Sequence, residues 1–387
     1  METLFKTKRR ILIYLILSNF LLIFGFRIWQ TMLNNFAVEE IGIGPASIGW
    51  LQSLRELPGL MGFLLGFLVL IFSEMKIMAL CTILMGIGIF LTGQANSVPF
   101  LFTSTLIMSF GFHFFSSSNS SVVLMAVEKK NAPKAMGQLS SLGAISALIA
   151  TGVVFFFADN WGYRNIFMGV GGLIAVGGVG LLLWGDGSDG LPPRRKIILR
   201  KQYWLYYLLS FLMGCRRHIF TTFAIFLLVK EYGISVQTTA ILFFVNSVAN
   251  IYALQMIGKL VGRWGERLML SIAFGALIFI FLGYAYITYL PVLFALFVLD
   301  NVLFGFNLAL STYFQKIAVK PEEITSNVAV QQTINHIAAV VVPVIGGIAW
   351  EAGGSRIPFL TGVAIVSVSL VLAQFMHLPA DATPVAG

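Results

Sequence analysis

Charge is scarce in this sequence. Only 11% of its 387 residues are Asp, Glu, Lys or Arg, while 58% are hydrophobic; soluble domains carry about a quarter charged residues. That excludes water as the sole solvent of the folded chain, and no stretch remains that reads as a sizeable soluble domain. Cysteine is almost absent. Cys81 and Cys215 lie inside apolar runs, with no CxxC and no His/Cys cluster at ligand spacing, so both read as packing residues and no metal site is expected. Also missing are HExxH, GxSxG and paired carboxylates at catalytic spacing, which argues against a membrane-embedded enzyme, and an ATP-binding loop, which argues against a primary pump. No cofactor and no catalytic residue is expected. Acidic residues are the minority sign, 16 against 25 basic. Such a surplus raises nucleic acid as a partner, but the placement of the basic residues assigns them to a lipid bilayer instead.

What is present is a succession of apolar runs, each close to the roughly 20 residues that cross about 30 Å of hydrocarbon. Reading the runs and their Gly, Pro, Asn and charged interruptions predicts twelve spans, at 11–33, 45–71, 77–94, 98–126, 136–158, 163–185, 203–229, 236–260, 268–288, 291–318, 325–350 and 356–377. The basic cluster Lys6, Lys8, Arg9 and Arg10 before Ile11 resembles the start of a secretory signal. No small-residue cleavage site follows, so the run is read as the first span.

Alternate loops carry very unequal positive charge. One side holds eighteen Lys and Arg, among them Lys76, Lys129, Lys130, Arg194, Arg195, Arg263, Arg267 and Lys320; the other holds three, Arg164, Lys230 and Arg356. The positive-inside rule then puts both termini in the cytoplasm, in the plasma membrane of a cell, a bacterial inner membrane being the natural setting. The longest connection, rich in Asp, Pro and Arg, falls mid-chain. The expected organisation is an N-terminal six-helix bundle at 1–185, a cytoplasmic linker at 186–202 and a C-terminal six-helix bundle at 203–387.

The two halves repeat at an offset of 192 residues. Asp159, Gly162, Arg164 and Phe167 align with Glu351, Gly354, Arg356 and Phe359, and Gly66 aligns with Gly258. With that duplication, and with Gly258-Lys-Leu-Val-Gly262-Arg263-Trp-Gly265-Glu266-Arg267 after the eighth span, the chain resembles the major facilitator superfamily. The family's loop normally has an aspartate where Gly262 stands, and the first-half counterpart from Gly66 to Lys76 keeps little beyond its glycine. The resemblance implies an all-α integral membrane protein of twelve transmembrane helices in two pseudo-symmetric six-helix bundles. It implies a symporter or antiporter working by alternating access, and a gating loop at Gly258, Arg263, Gly265 and Arg267. The two arginines read equally well as positive-inside anchors.

An ionisable residue near the bilayer centre costs at least about 2.5 to 3.5 kcal/mol, so each is a functional candidate by default. Here they are Arg27, Arg55, Glu56, His113, Arg216, Arg217, His218, Asp300 and His336. At about 1.5 Å rise per residue, Arg55, Arg217, Asp300 and His336 lie roughly 15 to 20 Å from a membrane face, the depth at which secondary transporters bind substrate. Four arginines against two carboxylates favour an anionic small-molecule substrate, because guanidinium pairs bidentately with carboxylate or phosphate and stays charged. Arg27 and Arg217 fall at nearly matching positions of the two halves. That pair resembles the organophosphate antiporters of the superfamily, and Arg55 resembles the nitrate porters, whose partner arginine is replaced here near Asn246. Arg27, Arg55, Arg216, Arg217, Asn246, Asn335 and His336 are therefore the candidate substrate groups. Glu56, Asp300 and His113 are the candidates for a coupling proton, the other option being a counter-solute.

The same residues have blander readings. The arginines serve equally as internal salt bridges, Arg55 or Arg217 with Asp300, and the histidines and the Ser116–Ser121 run as interhelical hydrogen bonders. Adjacent helical residues point about 100° apart, so Arg55 and Glu56 are expected to face different places. A proton-coupled multidrug exporter is the alternative function; the fifth span lacks the Gly-Pro pair such exporters carry.

Overall fold

A computed structural model describes residues 2–126, 132–184 and 199–377, with no side-chain detail at 2–9, 124–126, 132–136, 321–322 and 325–326. Most of the expected linker at 186–202 lies outside these residues. The described chain is helical throughout. In hydrocarbon a backbone has no water to bond, so every N–H and C=O must be satisfied within its own helix. The elements are α1 (Glu2–Glu39), α2 (Pro45–Leu60), α3 (Glu74–Gln94), α4 (Val98–Ala126), α5 (Ala132–Leu183), α6 (Trp204–Lys230), α7 (Val236–Trp264), α8 (Glu266–Tyr286), α9 (Leu290–Leu303), α10 (Asn307–Ile317), α11 (Pro321–Gly353) and α12 (Arg356–Ala373).

Ten of the described helices are long and apolar enough to cross a membrane. One of them, at 137–183, is broken into two helices at Gly162, which has φ 72° and ψ 161° inside α5. The expected second span is less regular than hydropathy suggests. After α2, which contains Pro58, the chain tightens into a 3-10 turn at Met61–Leu64 and ends in one helical turn at Leu65–Leu68. The expected tenth span is likewise split, α9 and α10 being joined by a 3-10 turn at Phe304–Phe306. With α5 divided at Gly162 and α9 joined to α10, the described helices fall near the expected spans, of which ten are long and apolar enough to cross a membrane.

Backbone conformation carries the duplication further than residue identity does. Gly354 has φ 94° and ψ 166°, the same region as Gly162, and the two are 192 residues apart. That region is essentially closed to residues with a Cβ. At the same offset Ser73 and Gly265 are the N-caps of α3 and α8.

By contact the chain divides into two compact units. The first comprises 1–43, 54–193 and 234–244; the second comprises 44–53, 194–233 and 245–387. The start of α2 thus groups with second-half sequence, and the start of α7 with first-half sequence. In the first unit, glycines bring helices to backbone contact: a Cβ at Gly86 would run into the backbone nitrogen of Ala175. Lipid supplies no hydrophobic drive between helices, so such close crossings are the main source of their cohesion. At a loop end of this unit, Arg164 holds the Glu40 carboxylate at 2.6 Å and lies over the Phe36 ring, while the Tyr163 hydroxyl donates to Glu39 at 2.7 Å. In the second unit an aromatic cluster joins α6, α8, α9 and α12, with Phe220 against Phe281, Tyr284 and Phe297 at centroid distances of 5.1 to 5.9 Å.

Candidate functional site

In the first unit Arg27 of α1, Arg55 and Glu56 of α2 and His113 of α4 are half-buried. α4 meets α1 through Phe26 and Phe112, whose rings stack at 4.1 Å. Each ring immediately precedes a candidate group, Arg27 or His113. α4 also meets α2, where the Ser109 hydroxyl donates to the Arg55 carbonyl. One turn further along α4, His113 Nε2 stands 3.9 Å from Glu56 Oε2, and Arg55 Nη2 lies 2.6 Å from Glu56 Oε1. The expectation that Arg55 and Glu56 face different places is corrected here. Their Cβ atoms do diverge, but the arginine stem is long enough to fold back along the helix and return its guanidinium to the neighbouring carboxylate. Inside a low-dielectric bundle that pairing outweighs the rotamer freedom it costs.

Arg27 stands apart from this cluster. Its Nη1 donates to Gln30 Oε1 at 3.0 Å, one turn on, and its guanidinium carbon lies 5.7 Å from the Phe243 ring. Its Nε is buried without a hydrogen-bond partner. Among the described residues no carboxylate comes within ion-pair distance of it. The polar row of α4 is mostly occupied with structure: Asn119 exchanges two hydrogen bonds with Asn19 of α1, at 2.8 and 3.0 Å, and Ser116, Ser117 and Ser120 bond back to carbonyls four residues earlier.

In the second unit Arg216 and Asp300 form an ion pair at 2.9 Å, with side-chain exposures of 1% and 5%. The helical step decides the partner. Arg216 faces into the bundle toward α9, whereas Arg217 lies half-exposed with its guanidinium 4.2 Å from the centre of the Phe304 ring, at the 3-10 break. Gly214, one turn before, lets α6 approach α11: a Cβ there would meet Asn335 Oδ1 at 3.3 Å. His336 is half-buried beside Asn335 in sequence. Asn246 of α7 is buried with both amide atoms lacking hydrogen-bond partners.

The expected gating loop joins α7 to α8. Gly265 takes φ 81°, Arg267 donates to Gln374 Oε1 of the chain following α12 at 3.3 and 3.4 Å, and Arg263 is exposed. A Cβ added at Gly258 would lie 3.7 Å from the Leu308 side chain, an ordinary contact. Sequence reasoning missed two carboxylates near this end of the bundle. Glu266 pairs with Lys316 at 2.7 Å. Glu323, inaccessible to solvent, accepts from Arg200 Nε at 2.9 Å and from the Tyr203 hydroxyl at 2.6 Å. The Arg200 hydrogen bonds, aided by Tyr203, hold the Glu323 carboxyl below its ordinary range. Arg200 and Lys316 belong to the eighteen Lys and Arg of the basic side, and nothing in local sequence marks their acidic partners.

The sequence profile of the Major Facilitator Superfamily matches residues 15–343 and again 207–386. No curated protein matches by sequence. Solved structures do. A point mutant of the nucleoside transporter NupG superposes with a TM-score of 0.76 at 18% identity, over 95% of this chain and 99% of that one. A bacterial homologue of the human lysosomal transporter Spinster, in an inward-facing and unoccupied conformation, gives 0.74 at 16% identity, over 96% of this chain and 98% of that one. With nearly the whole chain inside the family profile, and with the helix order and paired backbone breaks described above, this protein belongs to the Major Facilitator Superfamily.

Proposed function

We propose that the chain is a secondary active transporter that moves a small anionic solute by alternating access, drawing on a proton gradient. The observation that carries the anionic assignment is Arg27: a largely buried guanidinium in the middle of an apolar helix, with a glutamine and an aromatic face for company and no carboxylate among the described residues. A charge removed from water is stable only when paired and hydrogen-bonded. A substrate carboxylate or phosphate supplies the missing partner when bound, and its departure leaves a cation to attract the next.

In the second unit, taken by itself, Arg217, Asn246, Asn335 and His336 are the residues assigned to solute binding, Asn246 because both of its amide atoms are buried without a hydrogen-bond partner. Arg216 is read as structural, its charge spent on Asp300. The coupling proton is assigned to Glu56, whose second oxygen faces His113 while Arg55 holds the first. Protonation of that carboxylate frees Arg55, so proton occupancy and the local charge change together. The halves 1–185 and 203–387, the linker 186–202, a plasma-membrane location and cytoplasmic termini complete the proposal, on the strength of the charge asymmetry of the loops.

The relatives named above share the fold at identities too low to pass on their substrates, so nucleosides enter the test as one class among several. The purified protein is screened by thermal shift against organic acids, phosphate esters, nitrate, nucleosides and lipophilic cations. A ligand at a hundred times its dissociation constant stabilises the native state by about 2.7 kcal/mol. Stabilisation confined to anions supports the assignment. Stabilisation by lipophilic cations alone refutes it and favours a multidrug exporter.

A further inference from the structure

Adjacent residues of α6 carry two guanidinium groups, and the end of α9 meets them in two different ways. Arg216 is buried and donates from Nη1 to Asp300 Oδ1 at 2.9 Å, so its charge is balanced inside the second unit. Arg217, half-exposed, lies over the Phe304 ring with its guanidinium carbon 4.2 Å from the ring centre; the guanidinium carbon of Arg216 is 5.8 Å from the same centre. Both distances fall inside the roughly 6 Å over which a ring face attracts a cation.

The backbone fixes where that ring stands. Phe304 follows Asp300 by one helical turn and its N–H bonds to the Asp300 carbonyl, so carboxylate and ring share one face of the helix end. The chain then tightens into the 3-10 turn at Phe304–Phe306. Gly305 lets that turn press on α7, where an added Cβ would come within 2.8 Å of the Ile257 side chain and 3.1 Å of Leu254. Leu303 and Phe306 are buried, whereas Phe304 between them is only half-buried. The turn is thus anchored by its neighbours, and Phe304 is left to the arginines.

The two partners differ in what they do to an arginine. A carboxylate cancels its charge and occupies its N–H donors. A ring face attracts the guanidinium through its quadrupole, leaves the net charge in place and takes no donor from the edge of the planar fork, along which the N–H bonds point. It also removes rotamer freedom from a long side chain, which a binding solute would otherwise have to do.

We propose that Phe304 is a positioning residue for solute binding: its ring holds Arg217 by one face and presents the edge, still cationic, to an oxyanion with two acceptors side by side, a carboxylate or a phosphate. This role rests on the anionic solute proposed above and names the residue that orders its arginine.

The test uses the full chain in detergent, with Phe304→Leu, Phe304→Tyr and a protein carrying trifluorophenylalanine in place of Phe304. Fluorine withdraws the electron density that attracts a cation and nearly keeps the shape of the ring. Dissociation constants for inorganic phosphate, citrate, glycerol phosphate and nitrate are measured by thermal shift, with the melting temperature of each unliganded protein alongside. For an anion that binds the wild type, Phe304→Leu and the fluorinated protein are expected to bind about two- to tenfold more weakly, the worth of ordering one long side chain. Phe304→Tyr is expected to bind as the wild type does. In an Arg217→Gln background the same changes at Phe304 should leave the remaining affinity unaltered. A ring that merely packs responds to lost volume and not to fluorine. Wild-type affinity in the fluorinated protein, or an equal loss from Phe304→Leu with and without Arg217, overturns the proposal and leaves the anionic solute standing. If none of the four anions binds the wild type, the anionic solute and the role of Phe304 fall together.

Discussion

Arg216 Nη1 lies 2.9 Å from Asp300 Oδ1, and neither side chain reaches solvent to more than 5%. Removing one partner of such a pair strands the other charge, which costs about 3 to 5 kcal/mol, whereas replacing both with apolar residues is often neutral or better. Asp300→Leu is therefore expected to lower the melting temperature sharply and Arg216→Leu/Asp300→Leu to recover most of the loss. If the double variant is as unstable as the single one, or if the single one is harmless, the pair does not fasten α6 to α9.

Acid should loosen the junction that Glu323 organises. The Arg200 hydrogen bonds, with that of Tyr203, depress the folded-state carboxyl from its ordinary 4.5. A depressed pKa adds stability that is fully present above the unfolded value and is lost as pH falls through the folded one. Wild-type melting temperature should fall as pH drops below about 4.5, and Glu323→Gln should lack that part of the acid dependence. Parallel acid profiles for the two proteins would refute the assignment.

Gly162 and Gly354 hold conformations that cost an L residue about 1 to 3 kcal/mol. Each faces open space, with no atom within 4 Å of an added Cβ, so Gly162→Ala and Gly354→Ala isolate backbone strain from crowding. Chemical denaturation should show similar losses in the two variants. A loss at one site alone would contradict the conformational equivalence of the halves.

Glu56→Gln should separate binding from coupling. Reconstituted in liposomes, this variant is expected to exchange labelled substrate across the membrane yet fail to accumulate it when a pH gradient is imposed. Accumulation equal to wild type would remove Glu56 from the coupling step.

The spans were legible because hydrocarbon imposes length and composition on every helix that crosses it. Where the register of a helix changed, the signal was lost: the apolar run at 45–71 gives no hint of the 3-10 turn at Met61–Leu64, since hydropathy records what a residue is and not which carbonyl its amide meets. The ionisable residues were equally conspicuous, but their pairing was not. Whether Asp300 meets Arg216 or Arg217 turns on a single 100° step along α6, and whether Arg55 reaches Glu56 turns on a side-chain torsion. Glu323 was unreadable for a different reason. Arg200 lies 123 residues away, and only the folded chain brings the two together.

The central claim is that Arg27 meets an anion. Once the screen yields a ligand, its dissociation constant is measured by titration calorimetry on wild type and Arg27→Gln. A charge-assisted hydrogen bond contributes about 1.5 to 3 kcal/mol, so a loss of roughly ten- to a hundredfold in affinity is predicted, with the melting temperature of the unliganded variant held or raised. Equal affinity in the two proteins would contradict the account.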